Sequence, residues 1–211
     1  MFSSLIVWMD FVGTVAFAIS GAMVAARKNM DIFGVNMLAV LTATGGGMIR
    51  DIIIGRTPPV MFLNPSYVLI AVLTANILFL VLYSRKSLPL SQRVGEQLLF
   101  WFDTLGLAAF TVDGVFAGVQ AQHGDKLFLI AFLGVMTGVG GGALRDIFAD
   151  EMPQIFVKHV YAVASVAGAV MTGLFWRITA EENIAVAAGA LTVIALRYEA
   201  VRHHWNLPRL R

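Results

Sequence analysis

Residues 45–51 read Gly-Gly-Gly-Met-Ile-Arg-Asp, and residues 140–146 read Gly-Gly-Gly-Ala-Leu-Arg-Asp. The second copy lies 95 residues after the first, and the same displacement carries Pro58 to Pro153. Upstream, Asp10, Gly13, Phe17 and Gly21 recur as Asp103, Gly106, Phe110 and Gly114, each displaced by 93. A steady offset with a two-residue insertion marks a duplicated unit, where chance matches would scatter.

Both copies sit inside apolar blocks. Such blocks cover residues 5–26, 33–54, 67–83, 95–119, 126–148, 159–177 and 183–202. About 20 residues at ~1.5 Å each cross the ~30 Å hydrocarbon core of a bilayer. The chain is 58% hydrophobic and 13% charged, against roughly 25% charged in a soluble domain. That is too little charge for a surface facing water on all sides. The sequence therefore predicts an all-α, polytopic membrane protein of seven transmembrane helices. Residues 1–211 form a single membrane domain, with repeat one over 5–85, repeat two over 95–178 and a seventh helix over 183–202. Each repeat holds three spans, an odd number, so the second copy enters the membrane from the opposite side. The outcome is an inverted 3+3 repeat plus a seventh helix, a plan that places a path or site near the midplane, at the pseudo-two-fold axis.

Lys and Arg give the orientation. Eleven of the fifteen fall on the side of Arg27, Lys28, Arg85, Lys86, Arg93, Arg145, Lys158, Arg197, Arg202, Arg209 and Arg211, and four on the side of Arg50, Arg56, Lys126 and Arg177. The positive-inside rule then puts the N-terminus outside and the C-terminus in the cytoplasm. No Lys or Arg precedes Arg27, so the first block reads as a retained span and not as a signal peptide.

Three consecutive glycines within a span are costly, at about 1 kcal/mol each relative to Ala. On one reading, spans two and five bend or unwind at Gly45, Gly46, Gly47 and at Gly140, Gly141, Gly142, and their freed carbonyls line a path. Broken helix is tolerated in lipid only against protein or a water-filled cavity. On another, the residues spaced by four (Ala39, Ala43, Gly47 and Gly134, Gly138, Gly142) form small-residue ridges for close helix packing. Bending and packing can coexist.

The charges behind the glycines are the next candidates. Arg50, Asp51, Arg145 and Asp146 either face a pore and set its potential, or the arginine stabilises the bend and reaches for the interface. Asp10 and Asp103 are expected to cap the starts of their helices. Asp113 stands where the first repeat has Ser20, lies deeper, and is a candidate for attracting a cation. The chain has no cysteine, which removes disulfides and thiol chemistry. Its four histidines lack metal-ligand spacing, and the glycines lack the Lys-Ser/Thr of a phosphate loop. No enzyme, cofactor, metal site or nucleic-acid partner is predicted.

The doubled Gly-Gly-Gly-x-x-Arg-Asp in a seven-span chain resembles the trimeric intracellular cation channel family, in its bacterial and archaeal branch. Its domain has also been labelled a glycine transporter domain. The resemblance implies a homotrimer with one pore per subunit in a bacterial or archaeal plasma membrane, conduction of monovalent cations with potassium favoured and sodium a further candidate ion, and lipid at the subunit interfaces. It also implies that the glycine-bent second and fifth helices line the pore, at Gly45–Gly47 and Gly140–Gly142. The Lys-Glu-Val pore signature of animal members is absent from this chain, so their lysine gating and phosphoinositide chemistry are not carried over. On residues alone, a channel, a secondary transporter of a small substrate such as glycine, and a packing scaffold share this architecture.

Overall fold

A computed structural model describes residues 4–84, 92–157 and 160–205. Arg85, Lys86, Lys158, His159, Arg209 and Arg211, which enter the sequence reading, lie outside the described residues. The elements are α1 (Ser4–Arg27), α2 (Ile32–Ile53), α3 (Val60–Leu63), α4 (Ser66–Ser84), α5 (Gln92–Gly118), α6 (Leu127–Phe148), α7 (Gln154–Val157), α8 (Tyr161–Thr179) and α9 (Glu182–Arg202). A π-helical turn, Val119–His123, closes α5. Among the described residues seven helices are long and apolar enough to cross a membrane: α1, α2, α4, α5 with its turn, α6, α8 and α9. The two four-residue helices, α3 and α7, had no signal in the hydropathy. They occupy matching places in the two repeats, after Pro58 and after Pro153.

Four helices make the centre. α1 packs on α2 and α5, and α6 packs on α5 and α2, while α4 and α8 sit outside them and α9 lies against α8 and α5. The pseudo-axis runs through repeat mates: Phe17 and Phe110 meet edge to face at 5.2 Å between centroids. Each ring fills the space of a glycine on the facing helix. A Cβ added at Gly106 would collide with Phe17, and one added at Gly13 would come 3.0 Å from Phe110.

At this axis α2 and α6 cross in opposite directions, backbone against backbone. A Cβ at Gly46 would fall on the carbonyl oxygen of Thr137, and a Cβ at Gly141 on that of Thr42. Gly140 contributes to the same contact, its Cβ position 3.1 Å from the Cα of Gly46. Of the outcomes expected at the glycines, bending or unwinding on one reading and close packing on the other, unwinding does not occur: both helices run unbroken through their triplets. An unwound peptide at this depth would need a partner for every freed group. Keeping the helix and closing the gap between two helices meets that demand without one.

α2 and α6 end alike. The amides of Arg56 and Glu151 reach back to the carbonyls of Asp51 and Asp146, at 2.8 and 2.9 Å. This is a Schellman turn, which needs one residue in the left-handed region; that residue is Gly55 in the first copy (φ 74°) and Asp150 in the second (φ 53°). α4 is the least buried span, with Leu69, Leu73, Ile77 and Leu80 forming an exposed apolar stripe. One polar tie to the bundle is a reciprocal amide pair, Asn76 to Asn36 at 2.9 Å.

Candidate functional site

The Arg-Asp pairs end up one turn before these Schellman ends, and in each copy the two residues divide the work. The aspartate faces back to the connection: Asp51 Oδ2 accepts the Val60 amide at 2.8 Å, and Asp146 Oδ2 accepts the Gln154 amide at 2.8 Å. Each thereby sets the start of the short helix that follows. The arginine curls onto its own neighbour, Arg50 Nε to Asp51 Oδ1 at 3.0 Å and Arg145 Nε to Asp146 Oδ1 at 2.8 Å. The rest of each guanidinium crosses to the other repeat, Arg50 to Asp113 and Arg145 to Ser20, which occupy matching positions. Neither arginine reaches for the interface: Arg50 is 7% exposed and Arg145 is fully buried.

Asp10 and Asp103 are not helix caps. α1 begins at Ser4 and α5 at Gln92, which leaves both aspartates inside their helices, facing the arginine of their own repeat. Asp103 Oδ1 accepts from Arg145 at 2.7 Å. Without such a counter-charge a buried carboxylate is expensive, so the ion pair is what makes the Asp103 position tolerable in lipid, while Asp10 lines a cavity.

From here the two copies diverge. Around Arg50 lies a cavity of about 350 Å³. Its wall carries Asp10, Asp51, Asp113, Arg50 and Arg56, with Tyr67, Thr44 and Gly47 between them. Three carboxylates against two guanidiniums leave a formal charge of −1. Exposed Asn64 and Gln120 stand at its mouth. Of the six signature glycines, Gly47 alone lines this cavity; Gly45, Gly46, Gly140, Gly141 and Gly142 are buried in helix contacts.

Around Arg145 the equivalent space is filled, by Arg197 of α9. Its guanidinium lies 3.6 Å from Asp103 Oδ2, and Nε donates to Thr104 Oγ1 at 3.3 Å. The rings of Phe100 and Tyr161 flank it at 4.8 and 4.7 Å. Arg197 is 2% exposed, so it belongs to the interior and not to the charges that set orientation. Two carboxylates, Asp103 and Asp146, here balance two guanidiniums.

The structure thus brings Arg50, Asp51 and Asp113 to one open cavity and seals Arg145 and Asp146 in its counterpart. Sequence reasoning missed Tyr67, Tyr161 and Arg197. The tyrosines could have been found, since they stand 94 residues apart within the repeat. Arg197 belongs to the appended helix and has no mate, so the repeat could not flag it. Among the described residues no group of side chains is arranged to hold a metal ion.

A family model described as Glycine transporter matches the chain twice, over residues 7–83 and 100–177. The chain is 36% identical over 207 residues to a UPF0126 membrane protein of Deinococcus radiodurans, covering 95% of this chain and 90% of that protein. It is 34% identical over 205 residues to the UPF0126 inner membrane protein YadS of Escherichia coli (strain K12), covering 97% and 95%. Among solved structures it resembles a TRIC trimeric intracellular cation channel orthologue from Rhodobacter sphaeroides, with a TM-score of 0.87, 30% identity, and 96% and 100% of the two chains covered. It also resembles a chain from a structural study of conductance through TRIC cation channels, at a TM-score of 0.82, 32% identity and 96% of each chain.

Proposed function

The chain belongs to the trimeric intracellular cation channel family, in its prokaryotic branch, and from that premise we propose that it is a monovalent cation channel, potassium-preferring, with one pore in each subunit of a homotrimer. The observation that carries this reading is the open cavity of the first repeat, whose carboxylates outnumber its guanidiniums by one. A net negative charge with low-dielectric walls concentrates cations and repels anions. Asp10 and Asp113 supply the attraction, Arg50 holds Asp113 in place, and Thr44 and Tyr67 offer neutral oxygens to an ion that sheds water. Gly47 keeps the wall between them open.

In this reading the floor of the cavity is the α2–α6 crossing, where Gly46, Gly140 and Gly141 leave no gap. The conformation described is a closed one, and conduction requires the crossing to part. Asp51, Arg145 and Asp146 hold the frame around it. Lipid or a neighbouring subunit covers the apolar stripe of α4, and the cavity opens on the outer side of a bacterial or archaeal plasma membrane.

A cavity closed at its floor also suits a secondary transporter of a small substrate such as glycine, which would expose the site to one side at a time. Recording from purified protein in planar bilayers under a potassium gradient separates the two. Unitary currents that reverse near the potassium potential, and shrink in Asp113→Asn, are expected. Silence together with saturable glycine uptake into proteoliposomes would sink the channel reading. Crosslinking in the membrane is expected to stop at a trimer.

A further inference from the structure

The second repeat contains, in Arg197, a cation already seated in the space that the first repeat leaves open. Its four contacts are Phe100, Asp103, Thr104 and Tyr161. The repeat offsets of 93 and 94 carry these positions to Val7, Asp10, Phe11 and Tyr67, and all four line the open cavity. The carboxylate and the tyrosine are kept, and they are the two groups that recognise a guanidinium: one by charge and hydrogen bonds, the other by its ring face. The counterpart has equal numbers of carboxylates and guanidiniums only because Arg197 is there, while the open cavity has one guanidinium fewer than its carboxylates. Its volume of about 350 Å³ is many times the ~30 Å³ share of one water molecule, so a small planar cation fits with solvent to spare.

We infer that the cavity of the first repeat is a binding site for a small monovalent organic cation of the guanidinium class, seated between Asp10 and Tyr67 as Arg197 is seated between Asp103 and Tyr161. The site shares its walls with the proposed pore, but it is defined by equilibrium binding and not by flux, so a chain that fails to conduct would leave it standing.

The test uses the full chain in lipid nanodiscs, titrated calorimetrically with guanidinium chloride against a background of constant ionic strength. Wild type is expected to bind one equivalent saturably, with potassium and tetramethylammonium chlorides giving weaker heats. Asp10→Asn, and separately Tyr67→Leu, are expected to weaken binding by about tenfold. Arg197→Ala empties the counterpart and is expected to raise the stoichiometry to two, with guanidinium restoring part of the thermal stability that the variant loses. The proposal is overturned if wild type binds none while Arg197→Ala binds one, if neither cavity variant weakens binding, or if potassium gives the same heats at the same concentrations.

Discussion

Each signature glycine has a different neighbour, and the substitutions should differ accordingly. Gly46→Ala and Gly141→Ala push a methyl into a carbonyl oxygen of the facing helix, where nothing flexible can yield. Each is expected to cost about 2–3 kcal/mol, the upper part of the range for overpacking, seen as a lower melting temperature in detergent. At Gly45 the obstacle is the end of Leu144, and at Gly47 the nearest atom is 3.6 Å away on Arg50. These two should melt near wild type, while Gly47→Ala narrows the cavity. The arginines form a second contrast. Arg145→Ala strands Asp103 and Asp146 in a sealed interior and should cost about 3–5 kcal/mol. Arg50→Ala should cost clearly less, because water in the cavity can solvate Asp51 and Asp113; equal losses in denaturation would contradict this. That these residues mattered was legible from the doubled motif. Of the readings open for the glycines, close packing is the one the helix crossing displays; unwinding looked open because the helix penalty of glycine is measured in water, where a freed peptide is solvated, and lipid withholds that option.

At the scale of elements, the repeat makes its own control experiment. α2 and α6 end in the same Schellman turn, with glycine in the left-handed position once and aspartate once. Gly55→Ala should lose about 1 kcal/mol, and Asp150→Gly should gain up to about 1 kcal/mol, since a side chain is disfavoured there by roughly that amount. Chemical denaturation of the two variants checks the opposite signs. The seven spans were readable because hydropathy is averaged over some 20 residues, and the described ends fall within a few residues of the expected ones. α3 and α7 were not, because four residues are too few for any periodicity and their start is set by a distant carboxylate. The cap expectation for Asp10 and Asp103 failed although the span starts were nearly right: with α1 starting at Ser4 and α5 at Gln92, both aspartates lie beyond the first turn, where no free amide is left to cap.

For the whole molecule, the absence of cysteine makes the proposed orientation directly testable. A single cysteine at Asn64, by the mouth of the cavity, should react with a membrane-impermeant maleimide added to intact cells. One at Lys28, on the opposite face with Glu151, should react only after the cells are opened. The reverse pattern would invert the topology. Inversion of the repeat was legible from span parity alone, but the inequality of its halves was not, because it is imposed by α9 from outside the duplication. That inequality has an electrical consequence. A duplicated unit would present the same formal charge to both leaflets; with Arg197 in place one end has a carboxylate in excess and the other is balanced, so in the proposed channel the first end enriches cations. A conducting subunit built this way is a rectifier. In symmetric potassium chloride, cation current entering from the first end should exceed the reverse current at equal and opposite voltages. Raising the salt should flatten the difference by screening, and Arg197→Gln should reduce it by giving the second end a charge of its own.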